Sequence, residues 1–388
     1  MRWRSSRAAT VVLVTLATFA DIVAYTVCVP VLPDLARRIG ASPTVIGLLF
    51  GSFGATLLAV SIPMGAISDR TGRKGPLVAG MLALAAATFL FARATSLPLL
   101  FAARMVQGAA DGVTWVVGFA LVADCYGAED RGRVMGYVMS GTSVGIMAGP
   151  SIGGWLYEAG GVAVPFQCVA GLSLLCAVGF VLIQPPARSA PSTRATFWSV
   201  VRVPAVAACA AAVVITGSTI AMLEPVLALF LSRTLGLTPT RIGLLFGCAA
   251  VALTVMPFVF GPLADKWGGR KLTLGGLLLA TAWMPLLATA SSFASALAVV
   301  VVQWTAWALV VTPSLAYMAE VTASVDSDAY GIGYGIYNTA WGLGSLVGPS
   351  LGGWLFDRLG FATLVSGWAA GAMLLTVVLG RVRSDRPR

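Results

Sequence analysis

Windows of about 20 apolar residues recur along the chain and are separated by short polar segments. A helix rises 1.5 Å per residue, so each window can cross a hydrocarbon layer of about 30 Å. The pattern predicts twelve transmembrane helices, here called spans 1 to 12: 9–33, 44–67, 76–94, 97–122, 133–157, 162–183, 203–231, 241–263, 272–290, 293–319, 330–356 and 361–380. The short loops leave no room for a soluble catalytic domain.

The longest polar interval follows span 6 and is rich in proline and basic residues. It separates six spans from six. We therefore predict an N-terminal six-helix bundle (1–184), a cytoplasmic linker (185–200) and a C-terminal six-helix bundle (201–388).

Several strings of the first half return in the second half. GPSIGGWLYE begins at Gly149 and GPSLGGWLFD at Gly348, while IGLLFG begins at both Ile46 and Ile242. GAISDRTGRK in the loop after span 2 is echoed by GPLADKWGGRK after span 8. Two similar membrane halves that meet at a midplane cavity are typical of transporters that work by alternating access.

Composition agrees with a membrane location. The chain is 58% hydrophobic and only 10% charged, with a mean hydropathy of +0.90, which exceeds the apolar content of soluble domains. Its net charge of +10 does not indicate a nucleic-acid partner, because most of the 25 Lys and Arg residues fall on one side of the predicted membrane. This asymmetry predicts that both termini lie in the cytoplasm.

The first apolar run could be a secretory signal or a retained helix. It continues past Asp21 to Pro33 without a cleavage site, so we expect a retained helix. The six cysteines have no metal-ligand spacing, and we expect them to pack as small apolar residues. We expect no metal and no cofactor.

The loop after span 2 has a charged pattern that resembles the major facilitator superfamily. Its residues are Gly65, Asp69, Arg70, Gly72, Arg73 and Lys74, and a weaker copy after span 8 includes Asp265 and Arg270. The resemblance covers the whole chain and implies an all-α membrane fold of two pseudo-symmetric six-helix bundles. Asp69 can accept hydrogen bonds from a helix N-terminus or a basic side chain, which would hold a cytoplasmic gate shut. The alternative is a cluster that only sets topology.

Small residues at every fourth position give span 5 a flat face, and a similar face occurs in span 11. The pattern in span 5 comprises Gly145, Gly149, Pro150, Gly153 and Gly154. It resembles the antiporter motif of drug and amine exporters within the superfamily, which favours exchange over uptake. Helix packing alone is the other interpretation, because helices in lipid associate through small residues.

Four ionisable residues lie well inside spans: Asp21, Arg104, Asp111 and Glu224. A charge at the bilayer centre costs about 2.5 to 3.5 kcal/mol even on the milder scale, so these side chains should face a cavity or a partner. Arg104 and Asp111 share a helix face and form either part of a common cavity or a structural ion pair. The chain has no histidine, so carboxyl groups must carry any transported proton.

Competition at Asp21 or Glu224 would couple the two ligands, because an arriving cation would expel the proton and an arriving proton the cation. Aromatic faces attract organic cations by about 0.5 to 2 kcal/mol each. The aromatic candidates for a pocket near these acids are Tyr25, Trp115, Trp304, Trp307, Tyr334, Tyr337 and Trp341, with Asn338 as a polar candidate.

Within the superfamily, the chain resembles the drug:proton antiporters related to vesicular monoamine transporters. The strings are IAMLEP from Ile220, VPVLP after Asp21, GLLF ending at Phe50, RxxQG from Arg104, and GPSLGG in span 11. The resemblance implies that Asp21 and Glu224 contact the amine or carry protons, that Phe50 lines the pocket and that Arg104 organises a polar network. The chain departs from the vesicular transporters in having Phe53, Ala308 and Asn338 where they have one lysine and two acids.

The sequence therefore predicts a proton-coupled antiporter of the cytoplasmic membrane that exports organic, cationic and amphipathic compounds. Its expected partners are the small-molecule substrate, protons and the lipid bilayer, with no nucleic acid, and we expect a monomer. One alternative is a proton-coupled uptake permease for a small metabolite. The others are an intramembrane enzyme, which would lack the usual histidine, and a non-transporting sensor, which would not need buried acids.

Overall fold

The computed structural model describes residues 6–126, 128–184, 200–323 and 330–382. Within these ranges the regular structure is helical and contains no strand. The predicted linker 185–200 lies outside the described residues except for its last residue.

Helices α1 to α7 cover the first copy of the repeat: Arg7–Thr26, Cys28–Ile39, Pro43–Thr71, Lys74–Arg93, Leu97–Cys125, Ala128–Gly160 and Ala163–Leu182. Helices α8 to α13 cover the second: Pro204–Leu235, Pro239–Val255, Pro257–Trp267, Gly269–Trp283, Phe293–Ala323 and Tyr330–Arg381. A 3₁₀ turn, Met284–Thr289, continues α11. Each predicted span therefore coincides with a helix, a pair of consecutive helices or part of a long helix.

Prolines and glycines explain where the helices depart from the predicted spans. Span 1 is divided into α1 and α2 at Val27, because Pro30 has no N–H to donate to the carbonyl of Thr26. Spans 11 and 12 run together as α13, with a kink at Gly360, whose φ of 76° is left-handed. Ten stretches of the described residues are long and apolar enough to cross a membrane, and one of them, Ile332–Arg381, has 50 residues and contains this kink.

The glycines with positive φ follow the sequence repeat. Gly40 and Gly236 have φ of 63° and 61°, and Gly72 and Gly268 have 87° and 90°. Gly161 and Gly360, with 77° and 76°, form the third pair. Side chains rarely adopt this conformation, so glycine ends equivalent helices in both copies.

The chain forms two compact units. One comprises Met1–Ala41, Leu49–Ala190 and Leu231–Gly247, and the other comprises Ser42–Leu48, Pro191–Phe230 and Cys248–Arg388. Ser42–Leu48, at the start of α3, thus belongs to the unit that otherwise contains the second copy of the repeat. Leu231–Gly247, which includes the start of α9, belongs to the unit that otherwise contains the first copy. The predicted bundle boundaries at 184 and 201 stay a prediction.

In the first unit, the glycine face of α6 packs against α1. A Cβ at Gly145 would overlap Ile22, and one at Gly153 would come within 3.0 Å of the Val27 backbone. The other face of α6 meets the start of α9, where a Cβ at Gly243 would overlap the carbonyl of Pro150. Backbones therefore approach closely on both sides of this helix.

The second unit repeats this arrangement with the equivalent residues. A Cβ at Gly348 of α13 would overlap the backbone of Ser218 in α8. A Cβ at Gly47, at the start of α3, would overlap the carbonyl of Pro349. In each unit an IGLLFG string therefore packs against a GPSxGG string.

Candidate functional site

Two buried carboxyl groups meet between α1 and α5 in the first unit. Asp21 is 2% exposed and Asp111 is 6% exposed. The two carboxyl groups are close enough to interact electrostatically, and the Trp115 side chain lies beside both. Two buried like charges at short distance disfavour each other. This arrangement therefore disfavours a state in which both groups are ionised.

One carboxylate oxygen of this pair receives no hydrogen bond from the described residues. Asp21 Oδ2 is buried and has no hydrogen-bond partner among the described residues. A buried acceptor without a donor is costly, so the pair is poised to accept another hydrogen-bond donor or a positive charge.

Arg104 of α5 lies in a cage of aromatic rings. Its guanidinium carbon is 4.4 Å from the centroid of Phe50, 5.1 Å from that of Tyr25, 5.5 Å from that of Phe53 and 5.8 Å from that of Phe91. The side chain is fully buried. The rings thus hold a cation by their negatively polarised faces.

The polar contacts of Arg104 form a short chain within the RxxQG string. Arg104 Nη1 donates to Gln107 Oε1 at 3.1 Å, and Gln107 Nε2 donates to Thr88 Oγ1 of α4 at 3.2 Å. A Cβ at Gly108 would overlap the Phe53 carbonyl, so this glycine lets α3 bring Phe53 to the guanidinium. Arg104 Nε and Nη2 have no hydrogen-bond partner among the described residues.

The sequence predicts that Asp111 shares a cavity with Arg104 or forms an ion pair with it. Asp111 lies beside Asp21 and Trp115, whereas Arg104 contacts Gln107 and the rings. The ion pairs between described residues do not include Arg104 with Asp111. The geometry favours a shared carboxyl site over a structural ion pair.

Glu224 lies in α8 of the second unit, directly before Pro225. It is half-buried, between the fully buried Leu223 and the buried Pro225. The four predicted ionisable residues are therefore divided, with Asp21, Asp111 and Arg104 in one unit and Glu224 in the other.

Three of the five predicted aromatic residues of the second unit are buried, and their role in a pocket stays a prediction. Trp307 is fully buried in a cluster with Val310 and Leu277, and Trp304 is 4% exposed. Tyr337 is buried and its hydroxyl is 3.1 Å from Ser314 Oγ. Three further candidates, Tyr334, Asn338 and Trp341, are half-buried.

The charged loop after α3 forms a network around Arg73. Its guanidinium is 2.7 Å from Asp69 Oδ1 and 3.0 Å from Asp124 Oδ2 at the end of α5, and it donates to Ser68 Oγ at 2.6 Å. Asp69 therefore accepts from a basic side chain, one of its two predicted partners. Arg70 is exposed, and a Cβ at Gly65 would make only an ordinary 3.6 Å contact with Val116.

Repeat-related cations cap the last helix of each copy. Lys74 Nζ donates to the carbonyls of Val181, in the last turn of α7, at 2.6 Å and of Ile183, which follows the helix, at 3.0 Å. Arg270 donates to the carbonyls of Gly380, at 3.2 Å, and Val382 at the end of α13. Positive charge is favourable at these helix C-termini. Asp265 is exposed.

The span 5 motif lies against the helix that carries Asp21. Gly145 faces Phe19 and Ile22, and Gly149 faces Thr26, so the motif positions α1 on both sides of the carboxyl group. Two members contact the start of α9: Gly154 faces Pro239, and the carbonyl of Pro150 faces Gly243. Packing is thus one function of the motif in this conformation.

Comparison with known families agrees with this architecture. The sequence model described as "Major Facilitator Superfamily" matches residues 14–223 and again 209–388. This protein belongs to the Major Facilitator Superfamily. It is a transporter-family protein and not an enzyme, as the sequence predicted.

Relatives of this superfamily member include animal transporters. It is 26% identical over 377 residues to the MFS-type transporter SLC18B1 of Rattus norvegicus, covering 92% of this chain and 81% of the relative. It is 28% identical over 325 residues to the chromaffin granule amine transporter of Homo sapiens, covering 83% of this chain and 62% of the relative. The chain thus spans less than two thirds of that amine transporter.

A solved structure confirms the predicted fold class. The inward-facing, occupied form of a bacterial homologue of the human lysosomal transporter Spinster has a TM-score of 0.80 with this superfamily member. The match covers 96% of this chain and 95% of the other at 17% identity. The protein is therefore an all-α, multi-pass membrane protein with the major facilitator fold.

Sequence reasoning missed several residues of the site. Phe53 stands out in the sequence only as a replacement for lysine and Gln107 only as a member of the RxxQG string, and no motif includes Phe91 or Thr88. Phe53 follows Phe50 by three residues and so shares its helix face, which was a usable signal. Phe91 comes from α4, and no local pattern shows that it reaches Arg104.

Proposed function

We propose that this protein is a proton-coupled antiporter that exports organic, cationic and amphipathic compounds by alternating access. The observation that supports the proposal is the buried pair of Asp21 and Asp111 with one carboxylate oxygen unpartnered. Membership of a transporter superfamily and the relatives named as amine transporters agree with it. Its proposed location is the cytoplasmic membrane, with both termini in the cytoplasm.

Charge balance at the carboxyl pair explains how the two ligands would be coupled. Two carboxyl groups with one shared proton carry a net charge of −1. Replacing that proton by an organic monocation leaves two carboxylates and one cation, and the net charge is again −1. The empty pair would carry a net charge of −2, which is costly to bury in a membrane, so either ligand stabilises the site. The two ligands compete because a proton neutralises one of the carboxylates that attract the cation.

The aromatic residues near the pair would bind the apolar part of the compound. Tyr25 is one turn from Asp21 on α1 and contacts Phe50 and Phe53, with ring centroids at 6.0 Å and 4.9 Å. Trp115 is one turn from Asp111 and stacks on Phe119 at 5.3 Å. Aromatic faces beside carboxyl groups suit an amine with an attached hydrophobic group.

Proton release on ligand binding tests the coupling. Detergent-purified protein in weak buffer with a pH-sensitive dye would be mixed with a panel of amines and quaternary ammonium compounds. We expect a compound that binds to release about one proton per site, because the cation displaces the shared proton. Asp21→Asn should abolish most of this release, and Glu224→Gln should reduce it.

Asp130→Asn is the matched control, because Asp130 is exposed and pairs with Arg133 on the same helix. It should release as many protons as the parent protein. Full proton release from the Asp21→Asn protein, with ligand binding intact, would contradict the proposed role of the pair. Flux of labelled compound into inverted vesicles under an imposed pH gradient would distinguish export from uptake.

A further inference from the structure

We propose that an anionic phospholipid binds in an apolar groove between α1 and α7, with its phosphate at Arg7 and Lys74. The groove has a volume of about 230 Å³. It is lined by four residues of α1 between Ala9 and Leu16 and four residues of α7 between Leu175 and Leu182, all apolar. This inference does not depend on the proposed transport function.

The groove exists because the two helices meet at a glycine. A Cβ at Gly179 would come within 2.6 Å of Leu13 Cδ1, so only a glycine allows this approach without a shift of Leu13. The neighbouring side chains of Val12, Leu175 and Val178 are 56%, 65% and 54% exposed. In a chain that spans a membrane, such an exposed apolar surface faces lipid. A lipid acyl chain can therefore fill the apolar groove.

Two cations lie at one end of this groove. Arg7 is exposed, begins α1 and stands two residues before Ala9 in the lining. Lys74 Nζ is hydrogen-bonded to the carbonyls of Val181 and Ile183, on either side of Leu182 in the lining. An ammonium group has three donors, so one remains for a phosphate oxygen.

The nearby acids do not cancel this positive charge. Asp69 and Asp124 both pair with Arg73, and Arg7, Arg70 and Lys74 leave this end of the helices with more basic than acidic side chains. The same end of the helices is the one that the charge distribution predicts to face the cytoplasm, where anionic lipids meet basic residues. Charge complementarity thus selects an anionic lipid among the lipids that could fill the groove.

Lipid titration of the purified full chain in detergent tests the proposal. Phosphatidylglycerol and phosphatidylcholine with the same acyl chains would be added separately, and the apparent affinity would be taken from the rise in unfolding temperature. Two basic side chains at about 1 kcal/mol each predict an affinity ratio of about 30-fold in favour of phosphatidylglycerol. Equal affinity for the two lipids would overturn the proposal.

Binding of the acyl chain in the groove is tested by a substitution that fills the groove. Val178→Trp should abolish the saturable rise in unfolding temperature that phosphatidylglycerol causes, because the indole would occupy the groove. Leu174→Trp is the matched control, since Leu174 lies on the same helix, is 48% exposed and does not line the groove. If Val178→Trp does not fold, Leu175→Trp tests the same position from one turn away. A groove-filled variant with parental lipid affinity would contradict the proposal.

Binding of the lipid phosphate by the basic side chains is tested with variants that remove a charge. Arg7→Gln should lower the affinity for phosphatidylglycerol about 5-fold and leave that for phosphatidylcholine unchanged. Arg93→Gln is the control, because Arg93 is exposed and ends α4, whose other end carries Lys74. Competition by tetraphenylphosphonium would identify the groove as a substrate site instead. If light scattering showed the parent protein to be a dimer and the Val178→Trp protein a monomer, a second copy would be the occupant and the proposal would be overturned.

Discussion

The chemistry of this protein depends on a few polar side chains that α1 and α5 carry in apolar surroundings. Asp21 and Asp111 lie side by side, and Arg104 replaces most of its hydrogen bonds by contacts with aromatic rings. The acids and the cation therefore lie in two different environments, a buried carboxyl pair and an aromatic cage.

The aromatic cage predicts that arginine at position 104 cannot be replaced by lysine. Arg104→Lys keeps the charge but loses the planar group that faces Phe50 and donates to Gln107. We expect the free energy of unfolding to fall by about 2 kcal/mol, because buried cation–π contacts are weakened. Thermal unfolding in detergent measures the change.

Arg93→Lys serves as the control for this substitution. Arg93 also lies over a ring, 4.6 Å from the centroid of Phe89, but it is exposed, so its contact is worth less. The two variants should differ clearly in unfolding temperature. Equal shifts would mean that the cage adds nothing to stability beyond what a surface contact adds.

At the scale of helices, small residues decide which elements touch. Gly145 and Gly153 bring α6 to α1, and Gly348 brings α13 to α8. Sequence spacing alone showed that these faces were flat. It could not show which helix each face would meet, because packing partners depend on the three-dimensional arrangement of all the helices.

Gly348→Ala should destabilise the protein, because its Cβ would overlap the backbone of Ser218, which cannot rotate away. Overpacking of this kind costs about 1 to 3 kcal/mol. Gly335→Ala is the matched control in the same helix, since a Cβ there meets nothing within 4 Å. Thermal unfolding of both variants should show a loss only for Gly348→Ala, and equal stability would contradict the packing argument.

Most of the fold was predictable because the membrane imposes simple rules of length and hydropathy. The twelve windows correspond to helical segments, and the charged loop and glycine patterns indicate the superfamily without the fold. The site is less predictable. Burial cost and spacing point to Asp21, Asp111 and Trp115, but their proximity depends on how α1 and α5 pack.

At the scale of the whole molecule, duplication organises structure as well as sequence. The left-handed glycines pair across the repeat, as do Lys74 and Arg270, which cap equivalent helices. Two carboxylates follow the same rule. Glu158 Oε1 accepts from the Thr240 backbone N–H at 2.9 Å, and Asp357 Oδ2 accepts from Thr44 Oγ1 at 2.7 Å.

The first of these carboxylates predicts a pH dependence of stability. Partial burial opposes ionisation of Glu158, but hydrogen bonds from Thr240 and Thr238 and the charge of Arg241 outweigh it, so the pKa of Glu158 is lowered. A carboxyl group with a lowered pKa stabilises the folded state above its unfolded pKa, about 4.3. That stabilisation is lost as the pH falls through the lower, folded pKa.

The parent protein should therefore lose stability more steeply than Glu158→Gln as the pH falls below about 4.3, because the glutamine has no charge to lose. Between pH 5 and 7 the difference between the two proteins should be constant. Thermal unfolding across this range measures both effects. Glu320→Gln, at an exposed position of α12, should follow the parent curve. If Glu158→Gln also followed it, the hydrogen bonds that hold α6 to the start of α9 would contribute nothing to the folded state.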